Sequence, residues 1–325
     1  MKVTKMNVLK EAVRVFDIEI EALQKTKLAL DDTFVKIVDL ITTCEGKVVV
    51  TGMGKSGHVA SKISATFSSL GTSSFYMNPA EAMHGDLGML SAKDIVIIIS
   101  YSGESEEIVR ILPNIKLIGA MIIGITGNAS STLSNAADIV QILPQFEEAC
   151  YLGLAPTSST TSVLCYGDAL AVVASGIYGF KNADFGKFHP AGSLGKKLVL
   201  KVDDLMEKNS ENAIVHVSAP LKSAIIELSK KGLGIVSIVG DNNKLLGVIT
   251  DGDLRRQLEL GVDVYSLKVE TIMTRTPKTI KTGKLAVEAL TLMKKTGISC
   301  LPVIDGEKVV GTIRLQRIIG AGIVG

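Results

Sequence analysis

Apolar residues at Val8, Leu9, Ala12, Val13, Phe16, Ile20 and Leu23 recur every three or four positions, which lays one stripe along a helix. Such a stripe needs a surface to cover it. From Lys47 the pattern changes to short runs rich in Val and Ile, namely KVVVTG, SSFYM, DIVIIIS, AMIIGIT and DIVQIL, separated by helix-like or Gly-rich segments. Strands that are apolar at nearly every position are buried on both faces, so the runs predict an α/β unit with a parallel sheet sandwiched by helices. A long, Ala-rich helix from about Ser158 to Gly179 closes it. The stretch KNADFGKFHPAGSLGKK then marks a boundary by its Gly, Pro and Lys content.

The rest of the chain repeats itself. A stretch from Asp204, DLMEKNSENAIVHV, through GIVSIVGDNNKLLGVITDGDL, is echoed from Thr271 by TIMTRTPKTIKT through SCLPVIDGEKVVGTIRLQRI, with Met206 and Met273 in matching places. Two copies are too few for a solenoid, so they are expected to pack as a pseudo-twofold pair of β/α modules. The resulting division is an N-terminal amphipathic segment over 1–36, a sheet domain over 37–180, a linker over 181–203, and modules over 204–264 and 271–325.

Composition narrows the function. The 325 residues carry 35 Lys plus Arg against 33 Asp plus Glu, with no dense basic segment, so nucleic acid is not an expected partner. Aromatics are 4% with no Trp, so the core is aliphatic. Cys44, Cys150, Cys165 and Cys300 stand far apart, without the spacing of a metal site or a disulfide framework, which suits a reducing compartment. Apolar stretches such as Ile95 to Ile99 and Ala169 to Ala174 fall short of the roughly 20 residues that span a bilayer, and the start MKVTKMNVLKEAV lacks the core of an export signal. A cytoplasmic protein with no membrane contact is expected.

Two loops carry candidate chemistry. In TGMGKSGH, Gly52, Gly54 and Gly57 allow a tight turn between a strand and a helix, with Lys55 and Ser56 inside it. It is neither a dinucleotide fingerprint, since no acid ends the next strand, nor a Walker loop, whose spacing differs. In SYSGESEEI, Ser100, Ser102 and Ser105 with the N–H groups of a helix start suit a dianionic phosphate. Glu104, Glu106 and Glu107 lie in the same turn, where they complement the helix dipole but repel phosphate unless some turn away.

These loops, with APTSSTTS at Ala155 to Ser162, resemble the sugar isomerase (SIS) domain, whose members bind phosphosugars. The repeat resembles a tandem pair of cystathionine-β-synthase-type (CBS) modules, its Gly247 to Asp253 stretch carrying the Thr-x-x-Asp pattern. In that order the whole chain resembles the D-arabinose 5-phosphate isomerase family, with AEAMHGDLGM around His84 also typical. The resemblance implies interconversion of D-ribulose 5-phosphate and D-arabinose 5-phosphate without a cofactor, feeding 3-deoxy-D-manno-octulosonate (Kdo) and lipopolysaccharide synthesis. It also implies a homotetramer with sites at subunit contacts, and an active site of Lys55, Glu107, Glu148 and His189. Gly54, Ser56, Gly71, Thr72, His84, Ser100, Ser102, Ser105, Thr157 and Ser158 are the expected contacts to the pentose phosphate. Asn78 stands where the family often has a metal-binding His, so no metal ligand carries over.

Aldose–ketose isomerisation asks for these groups independently. A proton moves between C1 and C2 through an enediolate, which needs a base at the carbons and a cation or acid at the oxygens. Glu107 or Glu148 serves as base, Lys55 stabilises the oxygen, and His189 shuttles the ring-opening proton. The rivals are an isomerase for another sugar phosphate and a sugar-phosphate sensor without turnover. In the CBS pair, Thr250 and Asp253 suit a ribose, whereas Arg314 and Arg317 replace them in the second module and suit an anion. A nucleotide, or a nucleotide-activated acidic sugar such as CMP-Kdo, is the expected ligand of the pair.

Overall fold

The computed structural model describes residues 5–189, 192–261, 263–264 and 266–323. The chain forms two compact units, Met1–Lys181 and Asn182–Gly325. The first opens with helices α1 (Lys5–Leu28) and α2 (Asp32–Thr43). It continues through β1 (Val48–Gly52), α3 (Lys55–Ser69), β2 (Ser74–Met77), α4 (Pro79–Ala82), β3 (Ile95–Ile99), α5 (Glu106–Ile118), β4 (Met121–Thr126), α6 (Thr132–Ala136), β5 (Ile139–Ile142) and α7 (Ser158–Ile177).

All five strands are parallel, in the order β2-β1-β3-β4-β5. Successive side chains of a strand point to opposite faces, so each apolar run feeds two cores at once. Val48, Val50, Ile95, Ile97, Ile99, Ile123 and Ile125 pack under α2, α3 and α7, against Ile37, Ile63, Phe67 and Leu170. Val49, Val96, Ile98 and Ile122 pack on the other face against Ile108, Ile111 and Ile115 of α5. The chain goes from β1 to one side, then crosses to β3 on the other. The loops after β1 and β3 therefore diverge, and a crevice opens at their carboxyl ends, where sheets of this order bind ligands.

Among the described residues α7 alone is long and apolar enough to cross a membrane by length and composition. Its Val163, Tyr166, Leu170, Ala171 and Ala174 are buried against the sheet, and the Tyr166 hydroxyl donates to Gln141 Oε1 at 2.9 Å, so it is a core helix of this unit.

In the second unit, the segment expected to be a linker is helical: α8 (Asn182–Phe188) and α9 (Ser193–Val199) pack closely enough that a Cβ on Gly186 would lie 2.2 Å from a methyl of Val199. The first module contains α10 (Val202–Leu205), β6 (Glu207–Lys208), β7 (Ile214–His216), α11 (Leu221–Lys231), β8 (Ile235–Val239), β9 (Leu245–Thr250) and α12 (Asp251–Glu259). The second contains α13 (Val269–Ile272), β10 (Ile280–Lys281), α14 (Ala286–Thr296), β11 (Cys300–Asp305), β12 (Lys308–Arg314) and α15 (Leu315–Gly320). Each module lends its first residues to the other: β6 pairs with β12, and Thr274 bridges Val248 of β9. Glycine is required at both crossings, because a Cβ on Gly311 or Gly247 would lie 2.6 or 2.9 Å from the sulfur of Met206 or Met273.

Gly57, in the first turn of α3, is similarly hemmed in: its Cβ would lie 2.6 Å from the Gly52 carbonyl and 2.7 Å from the Tyr76 hydroxyl, which themselves bond at 3.1 Å. Gly57→Ala is expected to destabilise the first unit by about 1–3 kcal/mol through overpacking. An unchanged urea midpoint for that variant would contradict this packing.

Candidate active site

At the end of β1 the chain turns through Gly54, whose φ of +59° suits glycine, and Lys55 begins α3. Gly54 offers no side-chain cap, so the first N–H groups of α3 stay open beside the exposed Lys55 ammonium. The turn after β3 is built from its own serines. Ser100 is buried, lies 3.1 Å from Ser105 Oγ and accepts from Gly103 N, while the exposed Ser102 accepts from Glu104 N at 3.3 Å. Ser105 makes no side-chain cap to α5 either.

The crowding of acids beside this turn is resolved by their partners. Glu104 turns away to α6, where it accepts from Thr132 N at 2.7 Å and from the Thr132 hydroxyl at 2.8 Å. Glu106 pairs with Arg110 one turn along α5. Glu107 is half-buried and has no hydrogen bond or ion pair among the described residues.

Glu148 is held differently. Its Oε2 accepts from Thr157 N at 2.6 Å, Thr157 Oγ1 at 3.0 Å and Ser159 N at 3.4 Å, and so closes the N-terminus of α7. Burial raises its pKa, but the bonds from Ser159 and Thr157 outweigh this and hold the carboxyl below its ordinary value. Thr157 is committed to this network, and Ser158 is fully buried. The three segments meet at a cavity of about 10 Å³, room for one water, lined by Ser56, Tyr101, Ser159 and Thr160. This is a floor between the loops, too small for more than a water. Tyr101 is absent from the residues expected from sequence, although an aromatic in a Ser/Gly turn is a signal. Its hydroxyl donates to the Pro144 carbonyl at 3.2 Å and its ring stacks on Phe146.

His84 is exposed, in the turn after α4, at the same edge as Lys55. Asn78 caps α4 by accepting from Ala80 N at 2.9 Å, and among the described residues no three His, Cys, Asp or Glu side chains are grouped to hold a metal. Gly71 and Thr72 sit beyond the far end of α3, and a 15-residue helix is about 22 Å long, so within one chain they lie at the opposite edge from Lys55. His189 belongs to the second unit, where Nδ1 lies 2.9 Å from the Phe185 carbonyl and the ring stacks on Phe185 at 3.9 Å. A carbonyl only accepts, so Nδ1 is the donor of this bond. Pro190 lies outside the described residues.

In the two repeated modules the two expected ligand positions differ. Thr250 and Asp253 line a cavity of about 430 Å³ with Arg256, Thr274, Lys278 and Cys300. Asp253 is already engaged, accepting from Thr250 N at 2.8 Å, from Thr250 Oγ1 at 2.7 Å and from Arg256. Arg314 and Arg317, expected to be free for an anion, are not. Both hold Glu207, at 3.2 and 2.9 Å, and Arg314 also donates to the Gly232 carbonyl at 3.4 Å. In the repeat Glu207 takes the place that Thr274 takes beside the open cavity, so the second position is filled by a side chain of the protein.

Family models match on both units: an SIS domain over residues 41–173 and CBS domains over 202–260 and 269–323. The arabinose 5-phosphate isomerase KdsD of Yersinia pestis is 43% identical over 311 residues, 96% of this chain and 95% of that one. The KdsD enzymes of Escherichia coli K12 and Pseudomonas aeruginosa are 44% identical over 95% of this chain and 42% over 98%. The chain belongs to the arabinose 5-phosphate isomerase family. The structure of E. coli CFT073 c3406 in complex with arabinose 5-phosphate is similar over 57% of this chain and all of that one, at 40% identity and a TM-score of 0.57.

The clamp on Glu207 gives a pH-dependent prediction. The bonds from Arg317, opposed by burial and joined by Arg314, lower the Glu207 pKa, so its contribution to stability is present above its ordinary 4.5 and lost as pH falls through the lowered value. At pH 7 Glu207→Gln is expected to destabilise the CBS unit by about 1–2 kcal/mol. The gap from wild type narrows as pH falls below 4.5 and through the lowered value; a gap independent of pH would contradict an ionic clamp.

Proposed function

We propose that the chain interconverts D-ribulose 5-phosphate and D-arabinose 5-phosphate at the β1/β3 edge of its first unit, with Glu107 as the base. One observation carries this placement: the two helices that start at the crevice, α3 and α5, are the ones left without a side-chain cap, whereas Asn78, Ser131 and Glu148 close α4, α6 and α7. Open N–H groups there, with Gly54, Ser56, Ser102 and Ser105, suit the phosphate. Glu107 takes a proton from C1 of the ketose and returns it to C2, while the hydroxyl proton passes from O1 to O2. Lys55, beside the same turn, stabilises the negative charge on the enediolate oxygens. Glu148 is tied by its α7 bonds as a fixed carboxylate and suits orienting substrate hydroxyls better than taking a carbon-bound proton. By the family resemblance His189 serves ring opening, and His84 contacts the sugar.

The product supplies Kdo for lipopolysaccharide. Val8, Leu9, Val13, Phe16 and Ile20 of α1 stay exposed, Phe16 by 70%, which supports a homotetramer in which this stripe is covered. In such an assembly Gly71 and Thr72 serve the site of another copy. The cavity beside Thr250 and Asp253, with Arg256 and Lys278 at its wall, suits one nucleotide or CMP-Kdo per CBS pair. A cytoplasmic place fits the four free thiols.

The test is direct. Purified chain given ribulose 5-phosphate is expected to form arabinose 5-phosphate, and Lys55→Ala to lower kcat by about 10²-fold or more with the fold retained. Turnover of sedoheptulose 7-phosphate instead, or near wild-type kcat in Lys55→Ala, would refute the substrate or the role of the lysine respectively.

A further inference from the structure

Helix α1 lies outside the stretch matched by the SIS model, yet it grips the loop that carries Glu148. A guanidinium NH₂ of Arg14 donates to the Ala149 carbonyl at 2.9 Å. The N–H of Ala149 donates to Thr157 Oγ1 at 2.8 Å, the same hydroxyl that donates to Glu148. Ala149 is buried, so the residue next to Glu148 has its donor taken by α7 and its acceptor taken by α1.

The arginine is itself aimed. Its Nε donates to Glu11 Oε2 at 2.8 Å, one turn earlier on α1, and its guanidinium lies 5.0 Å from the centre of the Tyr151 ring. The Tyr151 hydroxyl donates to the same Glu11 oxygen at 3.2 Å. Farther along α1, Glu19 accepts from the Thr161 hydroxyl at 2.8 Å, which ties the helix to the first turn of α7. Fold stability alone asks little of this surface cluster, half-buried at Arg14 and Glu11, since most surface ion pairs contribute under about 1 kcal/mol. Its position beside Glu148 gives it another use.

We infer that Arg14, aligned by Glu11 and Tyr151, is a positioning residue for the isomerisation, holding the 148–151 loop so that the Glu148 carboxylate stays seated on the α7 N-terminus. This rests on the role proposed for Glu148. Displacing a catalytic carboxylate by an ångström costs far more rate than binding. The bonds that lower the Glu148 pKa also depend on its seat, so loosening the loop moves that pKa toward the ordinary value.

The experiment measures kcat and KM against pH for the intact chain as wild type, Arg14→Ala, Tyr151→Leu, Glu148→Gln and the Arg14→Ala/Glu148→Gln double variant, with melting temperature and assembly state recorded for each. Arg14→Ala is expected to lower kcat about 10-fold with KM within about 2-fold, and to move the acid limb of the profile to higher pH. Tyr151→Leu moves both in the same direction by less, and its exposed side chain keeps the comparison valid should Arg14→Ala fail to assemble. In the Glu148→Gln background, Arg14→Ala costs nothing further. Wild-type kcat and pH profile in both Arg14→Ala and Tyr151→Leu, or losses that multiply fully with Glu148→Gln, would overturn the positioning role while leaving Glu148 in place. Wild-type kcat in Glu148→Gln would overturn the role of Glu148 first, and that of Arg14 with it.

Discussion

Five parallel strands that end at one edge oblige every strand-to-helix connection to leave a helix N-terminus there, with N–H groups that need acceptors. Most of the polar arrangement in the first unit follows from how that need is met. Glu104 and Ser131 serve α6, Asn78 serves α4, and Glu148 serves α7 across the loop that precedes it. The two N-termini that face the β1/β3 crevice are left to solvent or to an anion. A phosphate placed there completes a pattern of capping that the protein leaves open at that point alone among these helices.

The same accounting separates the acids. A carboxylate that closes a helix is ionised and immobile, and its basicity falls with each N–H it accepts. Glu107, in the first turn of α5, has no such partners among the described residues. The second unit shows how a repeat loses its symmetry by one exchange of charge: Thr250 and Asp253 frame an open cavity, while Arg314 and Arg317, in the equivalent places, close on Glu207.

Much of this is readable from residues in order. Runs such as VVVTG and IVIII identify buried parallel strands, the spacing of Gly54, Lys55 and Ser56 places a turn at a sheet edge, and Met206 and Met273 betray the duplication. What cannot be read depends on partners remote in the chain. The engagement of Glu148 is set by the start of α7, that of Glu104 by Thr132, and that of Arg314 and Arg317 by a residue more than a hundred positions earlier. Resemblance groups Gly71 and Thr72 with Lys55, but spacing along the chain does not say that a whole helix separates them. The expected linker is helical because Gly186 lets α8 approach Val199, a contact that Gly and Pro content conceals.

The assignment of the base is the point on which the rest turns, and hydrogen exchange at carbon reports on it more directly than turnover. In D₂O the wild-type chain should incorporate solvent deuterium at C2 of arabinose 5-phosphate as it forms from ribulose 5-phosphate. With Glu107 as the base, Glu107→Gln should lose this incorporation by about 10³-fold or more, in step with kcat. Incorporation at the wild-type rate in Glu107→Gln would contradict the assignment, because the proton would then be moving through another group.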